Sequence, residues 1–177
     1  MKHLIKISIA AATALVLGTS AFAGTATGTL AVSALIPASC TVGTSTLAFG
    51  LYDPLGANLS ADLMVNGTVN VTCSSGAPVT VALGAGAHYD STNHIRRMSD
   101  GSSHTINYEM YSDVVDGTPW GDGTSATNNN VTKAITGTGA SQNVTVFGEI
   151  PAGQTVPAAS TTGISLYTDT VVITVNF

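Results

Sequence analysis

Charged residues are scarce in this chain: they make up 8% of its 177 residues, with five lysines and arginines against ten acids. So few cations leave no basic surface for nucleic acid. Long hydrophobic runs are also lacking, because the apolar stretch of residues 7–17 is about half the roughly 20 residues that a bilayer-spanning helix needs. Neither a nucleic-acid partner nor insertion into a membrane is therefore expected.

The N-terminus has the pattern of a secretory signal peptide. Lys2 and Lys6 precede the apolar stretch, and Ala21-Phe22-Ala23 ends it with small residues around a larger one. We predict that residues 1–23 are a signal peptide and that the mature chain begins near Gly24. This prediction implies that the protein is exported. Removal of the signal peptide would leave three basic residues against ten acidic ones in the mature chain.

Only two cysteines are present, Cys40 and Cys73. In an oxidising compartment two cysteines allow one intramolecular pairing, so a Cys40–Cys73 disulfide is predicted. Two buried free thiols are the alternative. A metal site is disfavoured, because two lone cysteines lack the paired spacing of such sites.

Alternation of apolar and polar residues predicts β-strands along most of the mature chain. Residues 68–73 alternate strictly, as do the apolar series at 79, 81 and 83 and at 106, 108 and 110. The C-terminus repeats the pattern with Val171, Ile173, Val175 and Phe177. Asn66-Gly67 has the sequence of a tight hairpin. About seven short strands in one domain predict an antiparallel, immunoglobulin-like β-sandwich.

Residues 24–36 form a further alternating segment ahead of the first cysteine. One face carries Ala26, Gly28, Leu30, Val32, Ala34 and Ile36, and Pro37 marks a break before Cys40. Periodicity leaves two interpretations open. The segment is either the first strand of its own sandwich or a strand that completes another sheet.

No catalytic constellation is recognisable. His88, His94 and His104 lie near Asp90 and Asp100 in sequence, but their spacing fits no metal motif, and no Gly-x-Ser-x-Gly occurs. The glycine pairs at 84 and 86 and at 137 and 139 complete no phosphate-binding loop. We expect no enzyme, no cofactor and no metal site.

An ordered set of short blocks carries a family resemblance. The blocks are Phe49-Gly50-Leu51-Tyr52-Asp53-Pro54, Asn70-Val71-Thr72-Cys73, Arg97-Met98, Tyr108-Glu109-Met110-Tyr111, Trp120-Gly121, Phe147-Gly148-Glu149-Ile150-Pro151-Ala152-Gly153-Gln154 and Tyr167-Thr168-Asp169-Thr170. Together they resemble the spore coat protein U domain family, which includes subunits of archaic, Csu-type chaperone–usher pili. The resemblance covers nearly all of the mature chain.

The resemblance implies an incomplete immunoglobulin-like sandwich that a donor strand completes. Residues 24–36 would be donated to a neighbouring subunit, and residues 37–177 would form the pilin domain that accepts a strand. The implied partners are a periplasmic chaperone, an outer-membrane usher and identical or related subunits. The edge at Val171, Ile173, Val175 and Phe177 would pair with the chaperone. The implied location is the surface of a Gram-negative bacterium, in fibres for adhesion and biofilm formation.

Two other functions remain open. The first is a secreted spore-coat-like protein that packs laterally without exchanging strands. The second is a carbohydrate-binding, adhesive sandwich, in which Trp120 would offer an aromatic platform and Asp116, Asp122 and Asn128 would be its polar partners. The loop at 116–130 is expected to face solvent, with Trp120 tucked against the sandwich.

Overall fold

A computed structural model describes residues 23–124, 131–157 and 163–177. The predicted signal peptide lies outside these residues except for Ala23, and it stays a prediction. The chain divides into two units, Met1–Leu35 and Ile36–Phe177. The described part of the first unit forms no helix or strand, and its Leu30 and Val32 side chains are exposed. The larger unit contains all the regular structure described below.

One sheet of the larger unit has five antiparallel strands. The strands are β1 (Cys40–Val42), β2 (Leu63–Cys73), β4 (Arg96–Ser99), β5 (Thr105–Tyr111) and β7 (Ser141–Ile150). Their spatial order is β1-β2-β7-β5-β4, with β2 and β7 forming the long central pair. A short 3-10 helix, Ala57–Leu59, precedes β2.

The second sheet has three antiparallel strands, β3 (Pro78–Leu83), β6 (Lys133–Thr136) and β8 (Ile173–Asn176). Their spatial order is β6-β3-β8. Register pairs Leu83 with Ile173 and Val81 with Val175. Strand β8 therefore lies at an edge of this sheet, with β3 on its paired side.

The core lies between the two sheets because the inward residues of each alternating strand are apolar. Val69 and Val71 of β2 meet Val79 and Val81 of β3 in one buried cluster that also includes Trp120. The predicted antiparallel β-sandwich is confirmed. No helix among the described residues is both long and apolar enough to cross a membrane.

The predicted hairpin at Asn66-Gly67 is wrong, because both residues lie inside β2. Gly67 is required for a packing reason instead. A Cβ at this position would lie 2.6 Å from the backbone oxygen of Thr46 and 2.9 Å from the Leu47 side chain. The glycine lets the chain before β2 cross close above the sheet.

The predicted disulfide joins Cys40 and Cys73, which are register partners in β1 and β2. It closes a loop with a sequence separation of 33 residues. We expect reduction to lower the free energy of unfolding by about 2–4 kcal/mol, because the reduced unfolded chain gains conformational freedom. Urea denaturation with and without a reducing agent measures this. An unchanged midpoint would contradict the expectation.

Candidate functional site: an open apolar groove between two strand edges

A groove of about 690 Å³ opens along the larger unit. Residues 45–52 form its first wall, and residues 163–173 contribute to the opposite side, which we call the second wall. Its floor reaches the core, with contributions from Val69, Leu83, Ile106, Met110, Val146 and Ile150. The hydrophobic core of the sandwich is therefore accessible from outside along the groove.

The first wall continues β1 beyond a break. Thr46 forms a bridge with Thr68 of β2, and Leu47 and Phe49 are half-buried against the core cluster. Glycines make this approach possible. A Cβ on Gly148 of β7 would lie 2.9 Å from both terminal carbons of Leu47 and 3.0 Å from Phe49. Any larger residue at Gly148 would push the first wall outward.

The second wall leads into β8 and is paired on one side only. The Thr168 and Ser99 backbones exchange hydrogen bonds of 2.9 Å in both directions. The amides of Ala87 and Gly84 donate to the carbonyls of Thr170 and Val172 at 3.1 and 2.8 Å. The backbone groups of Thr168, Thr170 and Val172 thus pair with residues in or next to β3 and β4.

The alternate backbone groups of both walls are left without partners. Successive residues of an extended chain direct their backbone groups to opposite edges. Among the described residues, the backbone groups of Leu47 and Phe49, and those of Tyr167, Asp169 and Val171, form no intramolecular hydrogen bond. The groove thus combines an apolar floor with two unpaired strand edges, the arrangement that an added β-strand satisfies.

Asp169 holds the second wall in place through its buried carboxylate. Its Oδ2 accepts a hydrogen bond from the Tyr108 hydroxyl at 2.6 Å, and its Oδ1 accepts from the amides of Ala87 and His88 at 2.8 and 3.2 Å. Burial, and then the bond to Asp169, raises the pKa of Tyr108 well above its usual value. Tyr108 therefore remains a hydrogen-bond donor at neutral pH.

Arg96 ties the same region together from inside the sandwich. Its side chain is completely buried, and its guanidinium pairs with Glu109 of β5. The Nη2 atom donates to the carbonyls of Trp120 at 2.8 Å and Gly84 at 3.0 Å. Because the Gly84 amide bonds Val172, Arg96 supports the segment against which the second wall lies.

Tyr52 lines the groove and is held in place by Gln154. The Tyr52 hydroxyl donates to the Pro151 carbonyl at 2.9 Å and accepts from the Gln154 amide at 3.1 Å. The Gln154 side chain then bonds both backbone groups of Asn107, at 2.8 and 2.9 Å. Tyr52, Gln154 and Asp169 belong to the family blocks, but the sequence predicts no role for them.

The predicted site residues fall in two places. Val171 and Ile173 line the groove, Val175 is half-buried in β8, and Phe177 is exposed just beyond this strand. Residues 26–36 form no β-ladder. Their role as a donor strand, and that of the C-terminal series as a chaperone-pairing edge, stay predictions.

The histidines singled out in the sequence do not come together. His88 contacts Asp169, His94 contacts the Tyr89 hydroxyl at 3.1 Å, and His104 bonds Asp100 at 2.7 Å. The bond from His104 holds the pKa of Asp100 below its usual value. In the described ranges, no group of three histidine, cysteine or acidic side chains is arranged to hold a metal ion.

The hypothesis that Trp120 offers an aromatic platform to a carbohydrate is wrong. The side chain is completely buried, and its indole nitrogen donates to the Val81 carbonyl at 2.9 Å. Trp120 is instead tucked into the sandwich, as the alternative interpretation of its loop predicted. Asn128, the fourth residue of that idea, lies outside the described residues.

Comparison with known proteins identifies the family of this chain. The family model described as Spore Coat Protein U domain matches residues 26–174. The chain is 35% identical to Protein U of Myxococcus xanthus, over 98% of both proteins. The chain belongs to the Spore Coat Protein U domain family. The resemblance seen in the sequence blocks is thereby confirmed.

A solved structure with a similar fold contains a pilus subunit. It is the CsuC–CsuE chaperone–tip adhesion subunit pre-assembly complex from archaic chaperone-usher Csu pili of Acinetobacter baumannii. The TM-score is 0.52 at 19% identity, over 80% of this chain and 40% of the matched chain. The Spore Coat Protein U domain described here thus shares the immunoglobulin-like fold of that structure while spanning less than half of its length.

Proposed function

We propose that this protein is a structural subunit of an archaic chaperone–usher pilus that polymerises by donating a strand. The N-terminal segment 24–36 of one subunit enters the groove of another and pairs with both walls. The observation that carries the proposal is the open apolar groove between two unpaired strand edges. Adding a strand to exposed edges is a general mode of recognition between protein chains.

The chemistry of the segment matches the groove. The alternating face with Leu30, Val32 and Ile36 would cover the apolar floor, contributing about 1.5–3 kcal/mol for each large side chain before ordering costs. The strand's backbone would add several hydrogen bonds worth roughly 0.5–1.5 kcal/mol each. Leu30, Val32 and Ile36 are 87%, 85% and 91% exposed, so this apolar surface is available for burial.

A chaperone would occupy the groove before assembly. Its strand would pair along the edge that includes Val171, Ile173 and Val175, and an outer-membrane usher would then exchange it for the next subunit's segment. The predicted signal peptide and the disulfide agree with export through the periplasm of a Gram-negative bacterium to its surface. Adhesion and biofilm formation would be the role of the fibre.

Substitution in the segment tests the proposal. We expect Val32→Asp in the full chain to abolish polymers, because it places a charge against an apolar floor at a cost of several kcal/mol. Ala31→Asp, on the opposite face of the segment, is the matched control and should leave polymers intact. Purified chains would be refolded from denaturant at high concentration and compared as unheated ladders on denaturing gels and by electron microscopy.

The same experiment separates the remaining alternative. The family relationship to Protein U of Myxococcus xanthus favours, as second candidate, a secreted coat protein that packs laterally. Such a protein would form layers in electron micrographs and would respond equally to Val32→Asp and Ala31→Asp. Either result would overturn strand donation.

A further inference from the structure

The sandwich has two ends of different character. We call the disulfide pole the end formed by Cys40, the turns at residues 74–77 and 137–140, and Phe177. We call the leucine pole the opposite end, formed by residues 53–62 and 151–157. Strand register defines both poles, because Cys40 pairs with Cys73 at one end of β2 and Leu63 pairs with Ile150 at the other.

Two leucines at the leucine pole are exposed without lining the groove. Leu55 and Leu59 are 87% and 59% exposed, and neither contributes to the groove walls or floor. An inserted strand would therefore leave both uncovered. Both belong to the same short segment before β2, and exposed apolar residues grouped at one end of a small domain are consistent with a contact with another molecule.

The turn that carries these leucines is fixed by hydrogen bonds. The Asp53 carboxylate accepts from the amides of Leu55 and Gly56 at 3.1 and 2.9 Å. The buried Asn58 bonds Asp53 and Ala61 through its side chain, and its carbonyl accepts from the Gly153 amide. The leucines are thus held in a defined position at the pole, as a docking surface requires.

The direction of an inserted segment decides which pole the next subunit meets. The first wall runs from the disulfide pole to the leucine pole, since it continues from Cys40. If the segment ran the opposite way, the incoming and outgoing joints of one subunit would both lie at the disulfide pole and collide. An open head-to-tail chain therefore requires the segment to run parallel to the first wall, ending at the leucine pole.

Chain connectivity then brings two poles together. Only Pro37, Ala38 and Ser39 separate the segment from Cys40, and three residues span at most about 10 Å. The disulfide pole of the donating subunit must therefore lie against the leucine pole of the accepting one. The disulfide pole carries its own exposed apolar side chain, Phe177, which is 58% exposed, and Val42 of β1 is 44% exposed.

We infer that Leu55 and Leu59 form a second contact between adjacent copies of this chain, against the disulfide pole near Phe177. The contact rests on the proposed strand donation, but it acts separately from it. Strand insertion makes the joint, and the contact between poles restricts bending at that joint. Adjacent domains linked without such an apolar contact move freely relative to one another.

Fibre stiffness tests the inference. We expect the double variant Leu55→Ser and Leu59→Ser to form polymers in wild-type yield with a persistence length about twofold or more shorter, because the joints lose an apolar contact. Val114→Ser is the matched control, since Val114 is 58% exposed and belongs to neither pole. Full-length chains would be refolded into polymers and their contours measured in electron micrographs.

Crosslinking provides a second measurement. Polymers of the double variant Leu55→Cys and Phe177→Cys, once oxidised, should give covalent ladders on heated gels run without reducing agent. Polymers of the double variant Val114→Cys and Phe177→Cys should not. Unchanged stiffness together with no ladder would overturn this contact while strand donation stands. Failure of the wild-type chain to polymerise, or polymers from Val32→Asp, would overturn the proposed function and this contact with it.

Discussion

Replacing Arg96 with methionine is expected to lower the free energy of unfolding by about 3–5 kcal/mol, the cost of breaking a buried ion pair on one side. The guanidinium pairs with Glu109 and donates to the carbonyls of Gly84 and Trp120, so the variant leaves several polar groups without their partner. A domain of this size has about 5–15 kcal/mol of stability in total. A large share of the molecules would then unfold at moderate denaturant.

The neighbouring arginine is the matched control for this prediction. Arg97 follows Arg96 in β4, but its side chain is 30% exposed and its partner is Asp90. A pair that keeps partial contact with solvent contributes less than a completely buried one, so Arg97→Met should lower the free energy of unfolding by clearly less than Arg96→Met. Arg96→Lys should fall between them, because one ammonium cannot replace the planar fork of donors. Urea titrations followed by Trp120 fluorescence measure all three, and equal effects of Arg96→Met and Arg97→Met would refute the argument.

Substituting Gly148 with valine is expected to displace the first wall of the groove and so weaken the binding of an inserted strand. The terminal carbons of Leu47 and the ring of Phe49 occupy the space that the valine side chain needs. The first wall, which carries both residues, would therefore have to move. Overpacking of this kind costs about 1–3 kcal/mol. Because each 1.4 kcal/mol is a tenfold change in affinity, we expect a peptide with the sequence of residues 24–36 to bind about tenfold or more weakly.

Three glycine substitutions distinguish displacement of the first wall from a general loss of stability. Gly148→Ala meets only the flexible ends of Leu47 and Phe49 and should weaken peptide binding less than Gly148→Val. Gly84→Ala is the control, because its nearest neighbour, the Val172 carbonyl, lies at an ordinary 3.4 Å. Binding of a fluorescent peptide to each full chain would be measured by anisotropy. Peptide affinity that is unchanged in Gly148→Val would show that the groove is not the binding site.

Some of the fold could be predicted because its signal is local. Strict alternation at residues 68–73 and at 106, 108 and 110 correctly indicated parts of β2 and β5, since a strand with one face in the core has a period of two residues. The Cys40–Cys73 pairing followed from a count of two cysteines. The C-terminal alternation likewise indicated β8, although regular pairing begins at Ile173 rather than Val171.

The parts that could not be predicted depend on residues far apart in the chain. Asn66-Gly67 has the composition of a turn, yet Gly67 is present because Thr46 and Leu47 cross above it. The sequence shows Arg96 as one of two adjacent arginines, and only the tertiary structure buries this one completely while it leaves Arg97 partly exposed. No pattern within a window of a few residues distinguishes these cases.

The sequence by itself determined several of the strands, the disulfide and an alternating N-terminal segment, because each depends on residues close together or on a simple count. Only the tertiary structure decided that residues 45–52 and 163–173 face each other across an open groove with their backbone groups unpaired. Such a groove is a property of two chain segments separated by more than a hundred residues. The distance between these two segments in space is set by how the two sheets pack, and local sequence patterns do not encode that packing.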